Sequence, residues 1–63
     1  MESVYDIRKL LMKFGTIIYI GDRLADLELM EEELGELYEM KLITNDEFIK
    51  SKLIVTKEKE KLN

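Results

Sequence analysis

Acidic side chains recur at helical spacing in the middle of the chain, and they are the first candidates for chemistry. Glu28, Glu32, Glu36 and Glu39 are three or four residues apart, so a helix would place them on one face. Paired carboxylates can transfer protons or hold Mg²⁺. An acidic helix surface in contact with solvent has the same spacing, and we favour that simpler interpretation.

The chain lacks the side chains on which many catalytic and metal sites depend. Its 63 residues include no His and no Cys. This composition excludes a Ser-His-Asp triad, a Cys-His nucleophile, a zinc finger and a disulfide framework. There is also no glycine-rich phosphate loop, because a bulky apolar run separates Gly15 from Gly21. We therefore predict a non-enzymatic protein that uses no cofactor and no metal.

Length and composition indicate a small globular protein. Apolar residues make up 46% of the chain and charged residues 38%, and this length allows a single domain, residues 1–63. The longest apolar run, residues 17–20, is far shorter than the ~20 residues of a membrane span. The N-terminus does not have the pattern of a secretory signal, and the lack of cysteine fits a reducing compartment. We predict a cytoplasmic protein without a membrane segment.

Basic and aromatic side chains near the N-terminus indicate a different chemistry, the binding of single-stranded nucleic acid. Such binders combine cations for the phosphates with aromatic rings on which bases stack. Arg8, Lys9 and Lys13 supply positive charge beside Tyr5. Against this, the net charge is −4, and residues 22–43 contain eight acidic and two basic residues. Because attraction to phosphate dominates nonspecific affinity, binding requires that this acidic segment face away.

The apolar spacing predicts a first helix over about residues 3–14. Ser3 is a suitable N-cap, and Asp6, three residues later, provides a carboxylate version of the capping box. Gly15 is the residue best able to adopt the left-handed conformation that ends a helix. The face predicted to enter the core carries Val4, Ile7, Leu11 and Phe14.

The β-branched run at residues 16–20 lies between two glycines and, taken alone, has the composition of a strand. The chain offers no second strand candidate to satisfy the backbone groups of this run. The run is therefore either an apolar connector that packs across the helices or a segment that pairs with its copy in a dimer. We favour the connector, because five residues make a weak strand.

Two further helices are predicted, over about residues 22–41 and 44–60. Asp22 caps the first of these, and Thr44 with Glu47 forms a capping box for the other. The predicted core stripe of the second helix is Leu24, Leu27, Met30, Leu34, Leu37 and Tyr38. The third helix is predicted to turn inward Phe48, Ile49, Leu53, Val55 and Leu62. The fold class is thus all-α, a compact three-helix bundle with a short apolar connector between helices 1 and 2, and the last two helices form an antiparallel hairpin.

Several apolar side chains fall outside these stripes, and three of them are candidates for a partner interface. Leu29 and Met40 share a face of the second helix, and Ile54 lies off the predicted core face of the third. Single exposed apolar residues are ordinary, but a group of them can also form an interface with a partner protein or a second copy. Lys52 is open to two interpretations: it pairs with Glu31 across the hairpin, or it extends its stem along the core to reach water.

A run of motifs in the first two thirds of the chain carries a family resemblance. The segment FGTIIYIGDR at residues 14–23 is followed by DLELME at 26–31 and by ELY at 36–38. With these motifs the chain resembles the YqgQ-like family of small bacterial cytosolic proteins over nearly its whole length. The resemblance implies a compact three-helix bundle and the binding of single-stranded nucleic acid that has been proposed for that family. If the chain binds in this way, the chemistry of its own side chains makes Arg8, Lys9, Lys13 and Arg23 the expected phosphate contacts and Tyr5 and Tyr19 the expected stacking residues.

The second half also resembles a SHOCT-type helical hairpin, which implies an oligomerisation or docking module. This likeness is carried by Leu34, Leu37, Leu42, Ile43, Thr44, Glu47, Phe48, Lys52 and Leu53. Lys41 departs from the pattern, which tends to have Gly at that position.

From the basic and aromatic residues and the first resemblance, the predicted function is binding of single-stranded nucleic acid. The alternative is protein interaction or self-association through Leu29, Met40 and Ile54, and an acidic mimic of nucleic acid has the least support.

Overall fold

The computed structural model describes residues 1–62, which form three helices joined by two short segments. Helix α1 runs over Val4–Lys13, α2 over Arg23–Glu39 and α3 over Asn45–Glu60. Residues 1–62 contain no strand, so the predicted all-α three-helix bundle is confirmed, and each helix end lies within two residues of its predicted position. Within the same residues, no helix has both the length and the apolar character needed to cross a membrane.

Each helix begins at the cap that the sequence predicts. Ser3 precedes α1 in an extended conformation. Before α2, the Asp22 carboxylate accepts the Ala25 N–H at 3.0 Å. Before α3, the Thr44 hydroxyl accepts the Glu47 N–H at 3.1 Å, and the Glu47 carboxylate accepts the Thr44 N–H at 2.8 Å. These bonds satisfy donors that have no partner in the first turn of a helix, and so they fix where the helices start.

Helix α1 ends in a left-handed turn at Gly15, whose φ is 80°. The Thr16 N–H donates to the Leu11 carbonyl at 3.1 Å, and the Gly15 N–H donates to the Met12 carbonyl at 3.0 Å. This pair of bonds is the Schellman motif, in which glycine adopts the left-handed conformation without steric cost. The turn sets the direction in which the following segment leaves the helix.

Helix α2 ends in the same motif, but its left-handed position is occupied by Lys41, with φ of 60°. The Lys41 N–H donates to the Tyr38 carbonyl at 3.0 Å, and the Leu42 N–H donates to the Leu37 carbonyl at 2.9 Å. A residue with a Cβ pays about 1–2 kcal/mol for this conformation. The departure from the hairpin pattern noted in the sequence is therefore also a point of backbone strain.

We expect Lys41→Gly to raise the free energy of unfolding by about 0.5–1 kcal/mol. Glycine removes the Cβ clash, and this gain is reduced by the larger backbone entropy that glycine loses on folding. Denaturant unfolding followed by circular dichroism measures the change. Lys41→Ala is the matched control, because it removes the same charge but keeps the Cβ and so relieves no strain. An equal gain in both variants would assign the effect to charge instead of backbone conformation.

The core contains ten buried apolar side chains, contributed by all three helices and by the loop between α2 and α3. Most of the residues predicted to form the core stripes of the first two helices are among these ten. Leu10 is also buried, although it was not predicted to be. Phe14, Leu24 and Tyr38 were predicted in the core but lie at its rim and are exposed. The buried set is Val4, Ile7, Leu10, Leu11, Leu27, Met30, Leu34, Leu37, Ile43 and Val55.

The inward face of α3 differs from the prediction. Phe48, Ser51 and Val55 form this face, and Ile54 also packs against the core. The Ser51 hydroxyl donates to the Phe48 carbonyl at 3.0 Å, which satisfies it inside the bundle. The placement of Ile54 off the core face was therefore wrong. The sequence also predicted that three further residues face inward, but they are exposed: Ile49, Leu53 and Leu62.

Helices α2 and α3 form the predicted antiparallel hairpin. Where α2 begins and α3 ends, the Arg23 guanidinium lies 3.3 Å from the Glu58 carboxylate. At the opposite end of the hairpin, the Tyr38 and Phe48 rings stack with their centroids 4.3 Å apart. Contacts at both ends therefore keep the two helices in register.

The cross-hairpin ion pair involves a different lysine from the one considered in the sequence. Glu31 pairs with Lys59 at 2.8 Å. The hydrogen bond to Glu31 raises the pKa of the Lys59 ammonium. The Lys52 ammonium instead lies 5.6 Å from the centroid of the Phe48 ring, and its side chain is exposed. Lys52 therefore follows the second interpretation, with its stem against the core and its charge toward water.

Residues 16–20 form neither helix nor strand within the single chain, so they are the predicted connector between α1 and α2, and the alternative of pairing with a second copy stays a prediction. Ile18 packs against the core, which holds the segment across the bundle. Ile17, Tyr19 and Ile20 are exposed. The connector therefore places apolar side chains at the surface beside α1.

Candidate nucleic-acid interface

The outer face of α1 carries two of the predicted contact residues side by side. Tyr5 and Lys9 are one helical turn apart, and the Lys9 ammonium lies 5.4 Å from the centroid of the Tyr5 ring. A cation over an aromatic face at an exposed site contributes about 0.5–1 kcal/mol. Tyr5 is 67% exposed, so the ring remains accessible to a ligand. A ring and a cation in this arrangement can accept a stacked base and its phosphate together.

Lys13 continues this face one turn further along α1 and is exposed. Within residues 1–62, neither Lys9 nor Lys13 forms an ion pair with a carboxylate. Both lysines border a shallow hollow that also contains Asp6 and Glu47. The backbone N–H of Glu2 donates to Asp6 at 2.9 Å and lowers the pKa of that carboxyl, which keeps it charged. The lysines are thus available to an anion, although the two acids reduce the local positive potential.

Tyr19 provides the second predicted stacking ring. It lies on the connector and is 81% exposed. The preceding residue, Ile18, packs against the core. The Tyr19 ring is therefore accessible while the backbone next to it is anchored.

A buried ion pair provides further anchorage for the connector. Asp26 on α2 is 4% exposed, and its Oδ1 accepts the Ile20 N–H at 2.8 Å. Its Oδ2 lies 3.7 Å from the Arg8 guanidinium, which also donates to the Ile18 carbonyl. We refer to the side chains of Arg8 and Asp26 together as the clamp. Because each buried polar atom has a partner, the clamp ties the connector to both α1 and α2 without leaving an unsatisfied group.

The clamp changes the role of Arg8. Its guanidinium is half-buried and engaged by Asp26 and the connector, so we do not place it among the phosphate contacts. Sequence reasoning counted Asp26 only among the eight acidic residues of segment 22–43 and missed this function. The available signal was its position four residues before Met30, which puts a carboxylate on the core stripe. A carboxylate at such a position requires a cation or several donors as partners.

Arg23 is directed toward α3 instead of α1. Its guanidinium lies 3.3 Å from Glu58, and Lys61 also lies 3.3 Å from that carboxylate. The hydrogen bond from Lys61, followed by that from Arg23, lowers the pKa of the Glu58 carboxyl. Arg23 therefore shares one carboxylate with Lys61, and its guanidinium is engaged at the α2–α3 end of the hairpin instead of beside the cations of α1.

The three residues predicted for a partner interface do not form one exposed patch. Met40 is exposed at the end of α2, Leu29 is half-buried, and Ile54 packs against the core of its own chain. Two larger exposed apolar side chains on α3, Ile49 and Leu53, were assigned to the core by sequence reasoning. A partner-binding role for Leu29, Met40 and Ile54 remains a prediction.

Positive and negative charge are concentrated on different helices. Helix α1 carries Arg8, Lys9 and Lys13, whereas residues 22–43 have a net charge of −6. In the described part of the chain, residues 1–62, no group of three or more His, Cys, Asp or Glu is arranged to hold a metal ion. Lys9 and Lys13 of α1 are available to an anionic ligand, as are Lys52 and Lys57 of α3, which are also exposed and have no ion pair within residues 1–62. The acidic side chains exposed along α2 are Glu28, Glu32, Glu36 and Glu39.

Comparison with known proteins places the chain in a family. Residues 1–61 match the family model described as YqgQ-like. The chain is also 38% identical over 60 residues to the uncharacterized protein YqgQ of Bacillus subtilis (strain 168), an alignment that covers 95% of this chain and 84% of that protein. The match extends over α1, the connector, α2 and α3. The chain therefore belongs to the YqgQ-like family.

Proposed function

We propose that the chain is a cytoplasmic, non-enzymatic binding module that holds single-stranded nucleic acid on its α1 face. This face consists of Tyr5, Lys9 and Lys13, and Tyr19, exposed on the connector, is the second candidate stacking ring. The proposal is carried by one observation: an exposed tyrosine ring with a lysine ammonium 5.4 Å from its centroid, on a helix whose Lys9 and Lys13 have no ion pair within residues 1–62. Arg8 and Arg23 are left out of the face, because each has a carboxylate partner within the fold.

The two kinds of side chain would make different contributions to binding. Lys9 and Lys13 would neutralise phosphates and release counterions, which for single strands lowers log K by about 0.7 per contact for each tenfold increase in salt. Tyr5 and Tyr19 would each stack on a base, a contact that is tolerant of sequence. Since the chain has a net charge of −4, we expect weak binding that is lost at high salt.

Fluorescence anisotropy with short labelled oligonucleotides at two salt concentrations tests the proposal. We expect the double variant Lys9→Glu with Lys13→Glu to bind at least about tenfold more weakly than the wild type, because two phosphate contacts become repulsive. The double variant Lys52→Glu with Lys57→Glu is the matched control, since it changes the net charge equally on exposed positions of α3. No binding of the wild type at low salt, or an equal loss in both double variants, would contradict the proposal.

Protein interaction remains the second candidate, and one observation favours it. The chain exposes several large apolar side chains outside the α1 helix, among them Met40, Ile49 and Leu53. Exposed apolar surface of this kind often marks an interface. The support is weaker than for nucleic acid. Three residues were predicted for this role, but Leu29 is half-buried and Ile54 packs against the core of its own chain.

A further inference from the structure

The side chains of residues 17–19 alternate between solvent and the core. Ile18 packs against the core, whereas Ile17 and Tyr19 on either side of it are each 81% exposed, and the alternation ends at Ile20, which is 58% exposed. Residues 16–20 contain no turn or bend. Alternation with a period of two is the pattern of an extended strand. Residues 17–19 therefore have the side-chain alternation of an extended segment laid on the bundle.

The backbone polar groups of the connector follow the same period. The Ile18 carbonyl and the Ile20 N–H are both bonded to side chains of the clamp. In an extended chain, the backbone groups of the intervening residues point in the opposite direction. Within residues 1–62, the N–H and carbonyl groups of Ile17 and Tyr19 have no hydrogen-bond partner. The clamp thus occupies two backbone groups on one edge of the segment, the Ile18 carbonyl and the Ile20 N–H, whereas the edge that carries the groups of Ile17 and Tyr19 has no bond within residues 1–62.

We propose that two copies of the chain associate by pairing these open edges as antiparallel strands, with a two-fold axis at Ile18. In this register Ile17 of each copy lies opposite the partner's Tyr19. Each of these two pairs exchanges two backbone hydrogen bonds, as residues in a hydrogen-bonded antiparallel pair do. The four bonds satisfy all the open groups of both copies.

A second copy fits this edge for two physical reasons. Residues 14–21 contain no charged side chain, so two chains with a net charge of −4 can meet there without opposing like charges at the contact. The register also places an isoleucine across from a tyrosine on the exposed face, and such β-branched and aromatic pairs are favourable in antiparallel strands. Because each copy uses its one open edge, the association closes at two chains.

The expected association is weak and reversible. The paired segment is short, and its contact area is below that of standard stable interfaces. We expect a dissociation constant on the order of 0.1–1 mM. The inference is independent of the proposed binding of nucleic acid, because it uses backbone groups and needs no oligonucleotide.

Amide hydrogen exchange measured by NMR across a protein concentration series tests the pairing. When the concentration is raised to roughly ten times the dissociation constant, exchange at the Ile17 and Tyr19 amides should slow roughly fivefold, because most molecules are then paired. Exchange at the Ile20 amide should not change, because its partner is Asp26 of the same chain. This contrast between neighbouring amides distinguishes strand pairing from association through side chains.

A proline variant provides a second readout. Ile17→Pro removes one N–H from the open edge of each copy and is compatible with an extended backbone, so it should weaken association at least about tenfold in sedimentation equilibrium. Ile17→Thr is the control, because it keeps the N–H and the β-branched shape, and we expect its association to stay within about threefold of the wild type.

Three results would overturn the inference. The first is a wild-type protein that stays monomeric at millimolar concentration. The second is concentration-dependent protection elsewhere, for example around Ile49 and Leu53 on α3, without protection at Ile17 and Tyr19. The third is unchanged association of the Ile17→Pro variant. Since none of these experiments contains an oligonucleotide, they leave the test of nucleic-acid binding unaffected, and the two proposals can fail separately.

Discussion

Leu27→Ala is expected to leave most of the chain unfolded under native conditions. Leu27 is 0% exposed in the middle of the core, and replacing a buried leucine with alanine costs about 2–5 kcal/mol. A single core in a chain of fewer than 70–80 residues rarely supplies more than about 3–5 kcal/mol. The loss is therefore comparable to the whole stability. Denaturant unfolding followed by circular dichroism at 222 nm, the usual helix wavelength, measures the effect.

Leu53→Ala is the matched control, because it makes the same chemical change on α3. Leu53 is 57% exposed, and substitutions at such positions usually change the free energy of unfolding by less than about 0.5 kcal/mol. The comparison also tests the orientation of α3, since the spacing of apolar residues had predicted that Leu53 faces inward. A destabilisation by Leu53→Ala equal to that by Leu27→Ala would contradict the orientation observed in the structure.

The ends of the helices could be predicted because their signals are local. Caps such as Asp22 and the pair Thr44 and Glu47 act within three residues, so the type and spacing of the side chains are sufficient to place them. The stop at Gly15 is equally local, because it depends on one residue that tolerates a positive φ. These features fix the number and length of the helices, and with them the fold class.

The orientation of α3 could not be predicted from spacing alone. Residues 53–55 are three consecutive apolar residues, and on a helix they point in three directions about 100° apart. The face that enters the core carries Ser51, whose small polar side chain weakens the apolar signal of that face. Its hydroxyl is satisfied locally by the Phe48 carbonyl, which a pattern of apolar residues does not reveal. The choice of face is therefore made by packing against α1 and α2.

The exposed residues proposed to contact a ligand were easier to predict than the ion-pair partners of the charged residues. Tyr5, Lys9 and Lys13 follow from the outer face of a single helix, and the structure brings them together on it. Arg23 was predicted to contact phosphate, because its actual partner, Glu58, could not be foreseen. Glu58 lies 35 residues away along the chain. The ion pair between them depends on the hairpin bringing distant residues together, and local sequence contains no signal for it.

The clamp links the fold to both proposals. By holding one edge of the connector, it keeps the Tyr19 ring at the surface, where a base can stack on it. The clamp also bonds the Ile18 carbonyl and the Ile20 N–H. The backbone N–H and carbonyl groups of Ile17 and Tyr19, on the opposite edge, therefore remain available for pairing. Loss of the clamp should therefore weaken nucleic-acid binding and self-association together, whereas Lys9→Glu with Lys13→Glu should affect only the first.

Arg8→Met is expected to lower the free energy of unfolding by about 1–3 kcal/mol and to release the connector. Methionine keeps much of the apolar stem but removes the guanidinium, which leaves the carboxylate of Asp26, 4% exposed, without its cation. Breaking a fully buried ion pair costs about 3–5 kcal/mol, and we expect less here because the Arg8 side chain is 31% exposed. Denaturant unfolding measures the stability, and amide exchange at Ile20 reports the release of the connector.

The double variant Arg8→Met with Asp26→Asn separates loss of the ion pair from loss of packing. Asparagine keeps an oxygen that can accept the Ile20 N–H, but it has no charge that needs compensation. If the uncompensated carboxylate causes the destabilisation, adding Asp26→Asn to Arg8→Met should restore part of the stability and slow the exchange of Ile20 again. If the two substitutions simply add, Arg8 and Asp26 are not coupled, and each holds the connector only through its own hydrogen bond to the backbone.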